Sequence, residues 1–181
     1  MITRDFSASL ALGTAAPDFT LPSATGGQLQ LASLAGPVVV FFTCNHCPYV
    51  KAVEDRVVAL AHEYGPRGVA MVGVCSNDAN DYPDDAPPRL LERWRAKDYR
   101  FPYLVDESQE VARAFGAVCT PDIFVYDRDR RLAYHGRIDD SWKDPAAVKR
   151  RELAEAVEAV LSGAKPSGEQ VPTMGCNIKW R

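Results

Sequence analysis

Two thiols stand three residues apart in Cys44-Asn45-His46-Cys47. The apolar run Val38-Val39-Val40-Phe41-Phe42 leads into them, and Pro48-Tyr49-Val50-Lys51 leads out into a helical pattern. Cysteines placed where a buried strand gives way to a helix can close a disulfide and open it again. Cys44 is expected to be the exposed nucleophile, because unpaired backbone N–H groups and the helix dipole favour a thiolate at a helix N-terminus. Lowering a thiol from about 8.5 to about 6 takes about 3.4 kcal/mol. The dipole supplies at most ~2 kcal/mol of that. His46, inside the pair, is expected to supply part of the rest by donating to the thiolate, or by pairing with it when protonated. Cys47, one turn into the helix, would resolve a mixed disulfide formed on Cys44.

The bland alternative for the pair is half of a structural zinc site. No second Cys-x-x-Cys or histidine pair follows at finger-like spacing, so no metal is expected. Three cysteines remain: Cys75, Cys119 and Cys176. Cys75 ends an apolar run and reads as a small buried hydrophobe. Cys119 and Cys176 are candidate additional thiols, the first just before Thr120-Pro121 and the second in the tail, from which it could fold back. His62 and His135 read as helix-surface and strand residues without a visible partner. The acidic stretch from Asp78 to Asp85 lacks the central glycine and twelfth-position glutamate of a calcium loop, so it reads as a solvated loop before the helix start at Pro87-Pro88.

The elements that must hold the pair follow from periodicity. Gly13 to Leu31 reads as a strand pair turning at Thr25-Gly26-Gly27. Pro37 to Phe42 is continuous and β-branched, as in a parallel strand buried on both faces. Tyr49 to Tyr64 fits a helix with Val50, Val53, Val57, Leu60 and Ala61 on one face, stopped by Gly65-Pro66-Arg67-Gly68. Val69 to Cys75 is a second buried strand. Leu90 to Ala96 is helical, Pro102 to Val105 a short strand, and Gln109 to Phe115 a short helix. Ile123 to Tyr126 and Leu132 to His135 are strands joined by a charged turn. Pro145 to Leu161 is the last long helix, and residues 164–181 form an irregular tail. The whole chain, 1–181, reads as one α/β domain. It has a central mixed β-sheet flanked by helices, an N-terminal β-hairpin extension, and an inserted loop and helix. This is the thioredoxin-like plan, with its site at the C-terminal end of the first core strand.

The chain of 181 residues carries a formal net charge of -3. That balance argues against nucleic acid and anionic membrane as partners. No stretch is long enough to span a bilayer. The segment from Met1 to Leu10 lacks a signal-peptide core, so a cytoplasmic protein is expected. In a reducing compartment a Cys-x-x-Cys pair is more often catalytic or metal-binding than a structural staple.

The motifs sharpen this reading. Gly13-Thr-Ala-Ala-Pro-Asp-Phe-Thr-Leu21, Phe41-Phe-Thr-Cys-Asn-His-Cys-Pro-Tyr-Val50, and Asp106 to Ala112 running on to Gly116-Ala-Val-Cys-Thr-Pro-Asp122 resemble the thioredoxin-fold superfamily in its peroxiredoxin-like, redoxin branch. The tail Met174-Gly-Cys-Asn-Ile-Lys-Trp180 resembles that of peroxiredoxin-like proteins. The resemblance implies that the Thr120–Pro121 bond is cis and that Thr120 and Pro121 bind substrate, the Thr120 backbone pairing with a substrate strand beside Cys44. It also implies that the Asn-His filling resembles oxidising members of the superfamily, with a stabilised thiolate and a more oxidising couple. Two positions depart from the pattern. Peroxiredoxins attack peroxide with the cysteine at position 47, preceded by threonine and proline where Cys44 and Val40 stand. Thioredoxin carries a buried acid where Val38 stands, so the proton acceptor for Cys47 is missing from the sequence.

The leading expectation is therefore a thiol–disulfide oxidoreductase. It needs no cofactor beyond the redox-active Cys44–Cys47 disulfide. Its partners would be protein or small-molecule disulfides and thiols, with a separate reductant or oxidant. A thiol peroxidase is the alternative. A redox-sensing or metal-holding module in which Cys44, Cys47, His46 and Cys119 converge is the third reading, opposed by the ring of Pro121 beside the pair.

Overall fold

The computed structural model describes residues 2–3 and 10–181. Most of the segment read for a leader lies outside the described residues. In chain order the elements are β1 (Ile2–Thr3), β2 (Thr20–Pro22), β3 (Gln28–Gln30), β4 (Val38–Phe42), α1 (Pro48–Tyr64), β5 (Ala70–Cys75), α2 (Pro87–Ala96), β6 (Tyr103–Val105), α3 (Glu110–Phe115), β7 (Cys119–Thr120), β8 (Asp122–Tyr126), β9 (Leu132–Gly136), α4 (Glu152–Leu161) and β10 (Met174–Asn177). The main sheet runs β6-β5-β4-β8-β9. β4 pairs in parallel with β5, and β5 with β6, whereas β8 and β9 run antiparallel. The early alternation of strand and helix thus gives the parallel half, and the strand pair near the end gives the antiparallel edge.

β4 is buried on both faces because its side chains alternate. Val39 and Phe41 enter a cluster with Val50, Val53, Val57 and Leu60 of α1 and Leu153, Val157 and Val160 of α4. Val38, Val40 and Phe42 enter a second cluster with Phe19, Phe115, Phe124 and Tyr126. Full burial of each large apolar side chain contributes roughly 1.5–3 kcal/mol, so the strand that ends at the dithiol is firmly held from both sides. The N-terminal hairpin forms as a separate pair of β2 and β3. No helix among the described residues is long and apolar enough to cross a membrane.

Three expectations need correction. The last helix begins at Glu152, not Pro145: Asp144 caps a single short turn at Pro145–Ala147, and Val148 is extended. His135 is not without a partner, because its Nε2 lies 2.9 Å from Asp122 Oδ1 on the neighbouring strand. The tail is not wholly irregular. Met174–Asn177 forms β10, the middle strand of a small sheet ordered β1-β10-β7. It pairs antiparallel with β7, Cys176 opposite Thr120 and Asn177 opposite Cys119.

Candidate active site

β4 delivers the chain to the site, and the Thr43 N–H, donating to Val74 O at 2.9 Å, extends its pairing by one residue. Pro48 then occupies the first helical position, where its missing N–H and fixed φ cost nothing. Cys47 is therefore the N-cap of α1, not a residue one turn into it. Its carbonyl accepts the first helical hydrogen bond, from Lys51 N at 3.0 Å.

From the opposite side comes Thr120, whose peptide bond to Pro121 is cis, as expected. Both sulfurs meet this one residue. Cys44 Sγ lies 3.3 Å from Thr120 Oγ1, and Cys47 Sγ lies 3.2 Å from the Thr120 carbonyl oxygen, to which its S–H donates when protonated. All five cysteines are free thiols in this structure.

The loop between the thiols is stapled to the approach to α2. Asn45 N donates to Asp85 Oδ1 at 2.7 Å, and Asn45 Nδ2 donates to the carbonyls of Asp84 and Arg89 at 2.9 and 3.0 Å. His46 Nδ1 lies 2.7 Å from Asp85 Oδ2, and its ring stacks on Tyr82 with centroids 5.0 Å apart. Asn77 Nδ2 donates to the same Asp85 oxygen at 2.8 Å. Asp85 is thus a buried carboxylate facing the dithiol, and not part of a solvated loop. Sequence reasoning missed it. The only local signal was an acidic pair just ahead of Pro87-Pro88, which says nothing of burial.

The expected exposed nucleophile is not exposed. Cys44 retains 2% of its accessible surface and Cys47 0%. The order of acidity is also the reverse of the expected one. The Cys44 thiol is pushed up, first by its hydrogen bond with Cys47, then by burial, then by the charge of Asp85. Cys47 is pushed down to about 4, first by the hydrogen bond from Cys44 and, against the cost of burial, by the S–H and backbone N–H of Cys176 and the N–H of Val50. The two thiols share a proton, so the pair loses its first proton early and holds its second.

The Thr120 backbone is not free to receive a substrate strand. β10 already pairs with it. The approach is close because Gly175 lacks a side chain: a Cβ there would sit 2.4 Å from the Thr120 carbonyl oxygen. Pro121 instead lines a cleft of about 200 Å³ with Tyr49, Ile138, Trp142, Val171 and Met174. Cys119 does not join the pair. It alternates with Thr120 on β7 and so looks to the other face, where its sulfur lies 3.6 Å from Pro121 O. Cys75 is buried, and burial pushes its thiol up.

The Cys44 sulfur, one His46 nitrogen and one Asp85 oxygen lie within 4.8 Å of one another, near enough for three ligands of a metal ion. The carboxylate is already engaged, however. Oδ1 accepts from Asn45 N, and Oδ2 meets both His46 and Asn77. The donor set is that of a closed hydrogen-bond network.

Known proteins place the chain. The model of the AhpC/TSA family matches residues 12–135, from ahead of β2 through almost all of β9. The chain belongs to that family. Solved structures extend the likeness to almost the whole chain. A hypothetical protein from Sinorhizobium meliloti 1021 is 44% identical, covering 96% of each chain with a TM-score of 0.89. An uncharacterized conserved protein from Geobacillus kaustophilus is 40% identical, covering 94% of this chain and 93% of the other with a TM-score of 0.90. Among named relatives, thiol-disulfide oxidoreductase ResA of Bacillus thuringiensis subsp. konkukian is 21% identical over 124 residues, 68% of each chain.

Proposed function

We propose that the chain is a thiol–disulfide oxidoreductase that cycles Cys44 and Cys47 between dithiol and disulfide. One observation carries the reading: both sulfurs converge on Thr120, one at its hydroxyl and one at its carbonyl, beside cis-Pro121 at the end of β4. The family and the ResA likeness support the same class of chemistry. Closing the Cys44–Cys47 bond passes two electrons and the one proton the pair still holds to an external disulfide, which leaves as two thiols, the second proton coming from water. No cofactor is required. A stabilised Cys47 thiolate stabilises the reduced form and makes the couple more oxidising. Asp85, with His46 and Asn77 on it, is the positioning group of the Cys44 side. The substrates are small disulfides and thiols, or a protein segment able to displace β10 from Thr120.

The test is a redox titration of the full chain against oxidised and reduced dithiothreitol, with the paired sulfurs mapped by mass spectrometry. The expected product is a single Cys44–Cys47 disulfide, absent from Cys44→Ser and Cys47→Ser. Two thiols that remain unpaired at every potential would sink the proposal.

The family leaves a thiol peroxidase as the second reading. Cys47 stands at the peroxide-attacking position, but its neighbours are the Thr120 carbonyl and Cys176. Among the described residues no arginine hydrogen-bonds either sulfur, and peroxide cleavage calls for such an anion-stabilising donor. Stopped-flow mixing with hydrogen peroxide separates the readings: the expected rate is that of an ordinary thiol.

A further inference from the structure

A buried dithiol needs a way out to solvent, and the tail supplies a sulfur for it. Cys176 is opposite Thr120 in the β10–β7 register, so it shares the face that Thr120 turns to the pair. It packs against the cluster that holds Cys44 and Cys47, and its S–H and backbone N–H are among the groups that pull the Cys47 thiol down. Of the five cysteines, Cys176 alone keeps appreciable surface.

The tail is held in this place by contacts built for it. Ile178 is buried, and its N–H donates to Val118 O at 3.0 Å. Gln109, 1% exposed, donates to the Lys179 carbonyl at 2.8 Å and accepts from Arg181 N at 3.0 Å. Lys179 N donates to Asn77 Oδ1 at 2.8 Å, and Asn77 in turn donates to Asp85. The tail and the dithiol loop are therefore joined through one hydrogen-bond network as well as through the strand pairing. Gly175 is what allows the close seat on Thr120.

We propose that Cys176 is a third redox-active thiol, which carries disulfide exchange between small molecules in solvent and the buried pair by way of Cys47. The inference rests on the Cys44/Cys47 reading above. In the oxidising direction, the Cys176 sulfur attacks an external disulfide RSSR. A Cys176–SR bond forms, and RS⁻ leaves with the proton that Cys176 loses. The Cys47 thiolate then attacks the Cys176 sulfur, forming Cys47–Cys176 and expelling the second RS⁻, which takes its proton from water. Cys44 finally attacks the Cys47 sulfur, forming Cys44–Cys47, and its proton returns to Cys176. The pair has lost two electrons, RSSR has gained them, and Cys176 is restored. Reduction runs through the same bonds in reverse.

The experiment uses the full chain, with oxidised glutathione as the probe and disulfides mapped without reduction. In Cys44→Ser the expected product is a Cys47–Cys176 disulfide; glutathione adducts with no such bond would overturn the relay. In Cys176→Ser the Cys44–Cys47 bond is expected to close at least ten-fold more slowly than in the wild type, and equal rates would also overturn it. Gly175→Ala in the Cys44→Ser background keeps every sulfur involved but crowds Thr120, so the yield of Cys47–Cys176 should fall; an unchanged yield counts against the geometry proposed. The underlying dithiol reading fails separately, if wild type and Cys176→Ser alike never form Cys44–Cys47.

Discussion

Cys44 and Cys47 are three residues apart and meet opposite surroundings. Cys44 faces the loop before α2, where Asp85 brings a negative charge and burial offers no compensation beyond the Thr120 hydroxyl. Cys47 faces the helix start and the tail, where N–H and S–H groups point at its sulfur. Equal chemistry thus gives unequal acids, because one position sees an anion and the other sees donors. These surroundings favour ionisation at the inner cysteine and oppose it at the outer one.

The largest test of this asymmetry is the thiolate itself. Reduced wild-type protein should show one thiolate by absorbance near 240 nm at pH 7, titrating away with a midpoint near 4. Cys47→Ser should show none at pH 7, since burial and Asp85 still hold Cys44 up. The folded pKa of Cys47 lies below the unfolded value of about 8.5. The stability it contributes is therefore complete above about 8.5 and is lost as pH falls towards 4. Urea unfolding of the reduced protein should accordingly show wild type losing its advantage over Cys47→Ser across that interval. A single ionisation between pH 8 and 9 in both proteins would erase the distinction between the two sulfurs.

The two sides of the pair were also unequally legible in the sequence. The β4–α1 side is contiguous, and each part of it carries a local signal: a five-residue apolar run, a proline after Cys47, and a 3.6-residue apolar face. Thr120-Pro121 was legible through its motif. The expected exposure of Cys44 failed for a reason no local pattern contains. Asp85 reaches the Cys44 sulfur from a short turn with no periodicity, while Thr120, which both sulfurs touch, is covered by β10, a four-residue strand whose place is fixed by pairing with a two-residue strand far back in the chain. A segment that short has too few side chains to show alternation. Cys176 and its motif hinted that the tail folds back, but the meaning of Gly175 depends on the Thr120 carbonyl it approaches.

A smaller effect is expected from Asp85→Asn. The charge that raises Cys44 is removed, so the second ionisation of the pair should move down. The amide cannot accept at both oxygen positions, and one bond to Asn45 N, His46 or Asn77 is lost. Hydrogen bonds to charged groups contribute roughly 1.5–3 kcal/mol, so the variant should lose about that much stability while its Cys44 becomes the better acid. A variant in which Cys44 moves up instead would remove Asp85 as the source of the difference between the sulfurs.

The smallest and most discriminating change is His46→Ala. The histidine faces Asp85 through Nδ1 and sits between that carboxylate and Tyr82. Its influence on Cys44 therefore passes through Asp85, and not through a direct bond to sulfur. Removing it leaves the carboxylate with one donor fewer and a less screened charge, so Cys44 should rise, by about one pKa unit or less, equivalent to at most ~1.4 kcal/mol. The sign is opposite to that of Asp85→Asn, and the double variant should behave as Asp85→Asn alone, because His46 has nothing left to screen. Additive shifts in the double variant would mean that His46 acts on the Cys44 sulfur directly. The asymmetry of the pair would then belong to the residues inside the Cys-x-x-Cys loop, and not to the carboxylate that reaches it from the far side.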